Sequence, residues 1–83
     1  MLLTIRYFAG AKAAAGVDDE QLSLPPESTV DDVLKLVRDK HGEPLTRVLT
    51  ASSLLLDGIA VRDTKISVAG GRELDVLPPF AGG

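Results

Sequence analysis

Side chains able to do covalent or metal chemistry are scarce in this 83-residue chain, and their spacing assembles no catalytic set. There is no cysteine, which removes a disulfide framework, a thiolate metal site and a Cys nucleophile together. A single histidine, His41, leaves no His pair for a metal and no spare imidazole for a Ser-His-Asp triad. It falls at the end of a helical stretch, where it reads as a dipole-compatible or solvent-exposed side chain rather than a catalyst. Asp18-Asp19-Glu20 reads as a solvated acidic loop, and Lys35, Arg38 and Lys40 as a solvated basic flank. Gly70-Gly71 precedes a strand and lacks a following Lys-Ser/Thr, so a phosphate loop is not expected. No acid, base and oxyanion donor converge, and the chain does not read as an enzyme acting by itself.

The group left for chemistry is the carboxylate of Gly83. From Val76 to Gly83 no side chain is charged. Pro78-Pro79 removes two backbone donors and stiffens the exit from the preceding strand. Phe80 places a large ring on a segment too short to bury it, and an exposed apolar side chain there marks an interaction site. Ala81-Gly82-Gly83 adds almost no side-chain volume, so a narrow channel can pass the chain and the carboxyl carbon stays open to attack. Fully extended, Pro78 to Gly83 reaches about 20 Å at 3.3–3.6 Å per residue. The pattern is that of a tail threaded into another protein's active site.

A body must hold that tail, and the rest of the sequence describes a small one. Residues 1–77 read as a single domain and 78–83 as an extended flexible tail. Leu2 to Phe8 alternates with period two, placing Leu3, Ile5 and Tyr7 on one face of a strand. Ala9 to Ala15, ended by Gly16, reads as a short helix, and Glu20 to Leu24 as a second strand stopped by Pro25-Pro26. Val30, Val33, Leu34 and Val37 form the apolar stripe of a helix over Val30–His41. Either Thr29 with Asp32 or Ser28 with Asp31 can cap its start, and Gly42 closes it. Leu45 to Leu49 reads as a helical turn or an irregular segment. Asp57-Gly58 between Ser53–Leu56 and Ile59–Val61 predicts a hairpin, and Glu73–Leu77 is the last strand. The order implies an α+β unit, a mixed sheet packed on one main helix; if its first and last strands are neighbours it is a β-grasp.

Composition narrows the setting. With 9 Lys+Arg against 12 Asp+Glu the net charge is −3, the wrong sign for a protein that lives on a phosphate backbone, so no nucleic-acid partner is expected. No apolar run approaches the ~20 residues of a membrane span, and the first residues lack the basic start and apolar core of a signal peptide. The cytoplasm is the expected compartment.

The tail Pro78-Pro79-Phe80-Ala81-Gly82-Gly83 after a strand, in a chain whose first strand ends Tyr7-Phe8-Ala9, resembles the MoaD-type ubiquitin-like sulfur carriers, the small subunits of molybdopterin synthase. The resemblance covers the whole chain in length and element order. It implies a ubiquitin-like β-grasp, no bound cofactor, and sulfur held as a thiocarboxylate on Gly83. By the same resemblance, an ATP-dependent, ubiquitin-activating-like adenylyltransferase activates Gly83 and a sulfur donor protein loads it. The large catalytic subunit then receives the tail, in a heterotetramer, and sulfur passes to cyclic pyranopterin monophosphate. The implied partner surface comprises Phe8, Val61, Leu77, Pro78, Pro79, Phe80, Ala81 and Gly82. The chain departs from the family pattern at Leu55-Leu56-Asp57-Gly58, where Val-Asn is common, and at Asp75-Val76-Leu77, where phenylalanine is common. The same Gly-Gly end and the same adenylate also suit a carrier for thiamine, tRNA thiolation or cysteine synthesis, or a ubiquitin-like modifier that forms isopeptide bonds.

Overall fold

A computed structural model describes residues 1–79. In chain order the elements are β1 (Leu2–Tyr7), α1 (Ala9–Ala15), β2 (Asp19–Ser23), α2 (Val30–His41), α3 (Glu43–Ala51), β3 (Ser53–Leu56), β4 (Ile59–Ala60) and β5 (Glu73–Leu77). The strands form one mixed sheet in the order β2-β1-β5-β3-β4. The first and last strands are central neighbours and run parallel, with Arg6 opposite Asp75 and Tyr7 opposite Val76; all other pairs are antiparallel. This neighbour order makes the fold a ubiquitin-like β-grasp. The predicted hairpin is present: Asp57 (φ 49°) and Gly58 (φ 83°) form the two-residue turn joining Leu56 to Ile59, with the left-handed backbone such a turn requires.

The helices cover one face. Leu3, Ile5 and Tyr7 of β1, Leu22 of β2, Leu54 of β3 and Leu74 and Val76 of β5 are buried there against Val30, Val33, Leu34 and Val37 of α2. Of the two possible caps the chain uses Thr29. Its hydroxyl accepts from the Asp32 amide at 3.2 Å, and Asp32 accepts from the Thr29 amide at 2.9 Å. Ser28 is instead buried and donates to the Pro25 carbonyl at 2.8 Å. The next free amides of α2, those of Val30 and Asp31, donate to the carbonyls of Ile66 and Thr64, so the loop before β5 completes the helix start.

The segment after Gly42 departs from expectation. It is a full helix over Glu43–Ala51, with Pro44 tolerated in its first turn. Leu45 and Leu49 are buried one turn apart, and α3 packs against both α1 and α2. Tertiary burial of that pair overrides the weak local preference of a stretch holding Thr46, Val48 and Thr50. Strand β2 begins at Asp19, one residue before its predicted start, and ends at Ser23 rather than Leu24.

Candidate functional site

Strands β1 and β5, being parallel, finish at the same end of the sheet, and the Phe8 amide donates to the Val76 carbonyl at 3.2 Å. Phe8 and Leu77 therefore emerge side by side on the face no helix covers; Phe8 is exposed and Leu77 half-buried. Arg6 lies on the same face, its guanidinium carbon 5.3 Å from the Phe8 ring centroid. That guanidinium chelates Asp75, Nε to Oδ1 at 2.8 Å and Nη2 to Oδ2 at 2.9 Å, and reaches Glu73 at 3.1 Å. Hydrogen bonding to Asp75 drives the Arg6 pKa further above its ordinary value, so the cation is permanent.

Pro78 is half-buried and Pro79 exposed at this end. Phe80, Ala81, Gly82 and Gly83 lie outside the described residues. Val61 does not join Phe8 and Leu77. Its amide donates to the Leu54 carbonyl, continuing the β3–β4 ladder on the helix side, and its side chain packs against the core.

A second cluster lies on the covered face. Register sets Glu20 opposite Ile5 with its side chain inward, so it belongs to β2 and not to a solvated loop. Its carboxylate accepts from the Tyr7 hydroxyl at 2.7 Å, pairs with Lys40 at 2.6 Å, and meets His41 Nε2. Tyr7 and His41 rings stack edge to face, centroids 5.9 Å apart. Burial pushes the Glu20 carboxyl up, but the bonds from Lys40, His41 and Tyr7 outweigh it and hold the pKa down at about 2. Burial raises the Tyr7 phenol, aided by Glu20, so Tyr7 stays a neutral donor. His41, expected to be exposed or merely dipole-compatible, instead ties the end of α2 to β2. The signal was present in the alternation of Glu20 with Leu22 and Leu24, which puts all three on one face.

These residues bind and orient one another: the Tyr7 hydroxyl, Lys40 and His41 all spend their donors on Glu20. No group of three His, Cys, Asp or Glu side chains suitable for a metal occurs among the described residues. Gly70 (φ 77°) and Gly71 form a tight turn rather than an anion cradle: a Cβ on Gly71 would lie 2.9 Å from the Val68 carbonyl oxygen. No helix of the described residues is long and apolar enough to cross a membrane.

Comparison with known proteins agrees with this architecture. The molybdopterin synthase sulfur carrier subunit of Drosophila yakuba is 29% identical over 82 residues, covering 95% of this chain and 88% of that protein. SAMP1 from Haloferax volcanii superposes with a TM-score of 0.85 at 25% identity, over the full length of both chains. A chain of the complex of subunits 1 and 2 of molybdopterin-converting factor from Helicobacter pylori has the same fold, with a TM-score of 0.74 at 17% identity over both full lengths. The model of the ThiS family matches residues 5–83. The chain belongs to the ThiS family and is a ubiquitin-like protein of the ThiS/MoaD sulfur-carrier type.

Proposed function

We propose that this protein is the sulfur-carrying subunit of a molybdopterin synthase, working in the cytoplasm, with residues 1–77 as its body and 78–83 as the tail that delivers sulfur. The observation that carries the reading is the near full-length relationship to the Drosophila yakuba sulfur carrier subunit. A cysteine-free chain can hold sulfur only on a carboxyl or an added group, and Gly83 offers the carboxyl. A carboxylate is a poor electrophile, so it must first be activated. Its oxygen attacks the α-phosphorus of ATP on an adenylyltransferase and releases pyrophosphate. The outer sulfur of a donor protein's persulfide then attacks the acyl carbon and AMP leaves. A second thiol attacks the donor's sulfur in the resulting acyl disulfide, carries the donor off as a disulfide, and leaves a thiocarboxylate.

The described residues offer no acid, base or oxyanion donor near Leu77: Arg6 and Asp75 are spent on each other. Transfer to cyclic pyranopterin monophosphate therefore falls to groups lining the large subunit's pocket, in a heterotetramer, with cationic side chains there attracting the anionic tail. Intact mass of the protein purified from its own cell tests the reading. The expected result is a species heavier by the difference between sulfur and oxygen, which yields molybdopterin from the precursor only when the large subunit is added. Product from the loaded carrier alone overturns the non-catalytic role, and absence of the heavier species overturns the carrier chemistry.

A second reading is favoured by the likeness to SAMP1, a small archaeal modifier protein. Under it the same adenylate is passed to lysines, and the purified protein is found in conjugates that survive reduction.

A further inference from the structure

Asp75 is a carboxylate sunk in the middle of a sheet, its side chain 9% exposed, on the face that carries no helix. Leaving a charge there is costly unless it is fully paired, and an apolar pair of similar volume serves stability as well or better. What the Arg6–Asp75 chelate adds is register. Sliding β5 by one residue along β1 turns Asp75 into the apolar core and Leu74 and Val76 out of it.

A slip of two residues keeps Leu74 and Val76 on the inner side but turns Arg72 in opposite Ile5; Arg6 by itself would tolerate it, because Glu73 would take Asp75's place and already lies 3.1 Å away. The turn between β3 and β4 forbids that slip. Asp57 Oδ1 accepts from the amides of Arg72 at 3.0 Å and Glu73 at 2.9 Å, and the Asp57 amide donates to the Glu73 carbonyl at 2.8 Å. Just before them Gly71 has no room for a Cβ, which would also meet Leu56 Cδ1 at 3.1 Å. The start of β5 is thus tied to one hairpin, and its middle to β1.

We propose that Arg6 and Asp57 are positioning residues for Gly83: together they fix the register of β5, and so the length of chain available beyond the end of the sheet. A two-residue slip changes that length by about 7 Å at ~3.3 Å per residue. A carboxyl that must meet an activating site at a fixed distance from the docked body cannot absorb such an error, since misplacement by about 1 Å can cost on the order of a hundredfold in rate. The inference rests on the carrier reading above.

The test compares wild type with R6M/D75L, with D57G, which suits the left-handed turn, and with all three substitutions combined. Two readouts are taken: β1–β5 interstrand NOEs, and ATP-dependent adenylation of the full chain by its activating enzyme. In the combined variant residue 6 is expected to show NOEs to residue 73 as well as to residue 75, and kcat to fall at least about tenfold with KM little changed. Native NOEs alone, or wild-type kcat, in a folded combined variant overturns the proposal. If the combined variant does not fold, the two partial variants decide: faster deuterium uptake at β5 amides with β1–β2 amides still protected supports the clamp, and unchanged β5 protection in both overturns it. Failure of the wild-type chain to be adenylated defeats the carrier reading, while the NOE and exchange results still judge the register clamp.

Discussion

At the scale of single residues, the two charge clusters do different work. Glu20 is anchored by Tyr7, Lys40 and His41 on the covered face, and its pKa falls from 4.5 to about 2. A depressed carboxyl pKa contributes stability that is full above about 4.5 and is lost as pH falls towards 2. E20Q is therefore expected to lower the melting temperature at neutral pH and to flatten the acid limb of a stability–pH curve between those values. An acid limb identical to wild type would show that the cluster contributes nothing. Gly83 behaves in the opposite way: it lies beyond the last strand, so its deletion should cost under ~0.5 kcal/mol, as for a neutral surface change. Sulfur loading, followed by mass, should nonetheless be abolished.

At the scale of elements, α2 was legible residue by residue because stripe, cap and glycine stop all agree. Helix α3 was not. Its apolar stripe, Leu45, Val48 and Leu49, is one turn long, and one turn of stripe fits an isolated turn as well as a helix. Its hydroxyls fold back along the helix, Thr46 to the Gly42 carbonyl at 3.0 Å and Thr50 to the Thr46 carbonyl at 3.0 Å, a use of Ser and Thr that local propensity does not favour. If docking against α1 and α2 holds α3 in place, L45A should cost about 2–5 kcal/mol in urea unfolding. A loss near zero would mean that α3 is held by its own backbone. The α2 cap allows a smaller test: T29A is expected to cost about 1 kcal/mol.

At the scale of the whole molecule, the sheet has one face under helices and one open, and the predicted partner residues divide between them. Phe8 and Leu77 share the open face at the end where β1 and β5 finish, whereas Val61 packs on the core side. F8A is accordingly expected to weaken binding of the large subunit at least about tenfold with little change in melting temperature, as for an aromatic anchor at an interface. V61A should do the reverse, lowering stability with affinity intact. Titration calorimetry beside thermal melts separates the two. Equal losses of affinity would return Val61 to the interface.

Local chemistry decided the strands, the main helix, the hairpin turn and the uncharged glycine end, because alternation, capping and turn residues act over a few positions. Only the folded chain decided that β5 inserts beside β1, that Glu20 turns inward to meet His41, and that Arg6 closes on Asp75. Those pairings join residues 21 to 69 positions apart, and nothing within a short window of sequence specifies them. Burial of the shared apolar face favours them, since this strand order brings Leu3, Ile5, Leu74 and Val76 into one core with the helices.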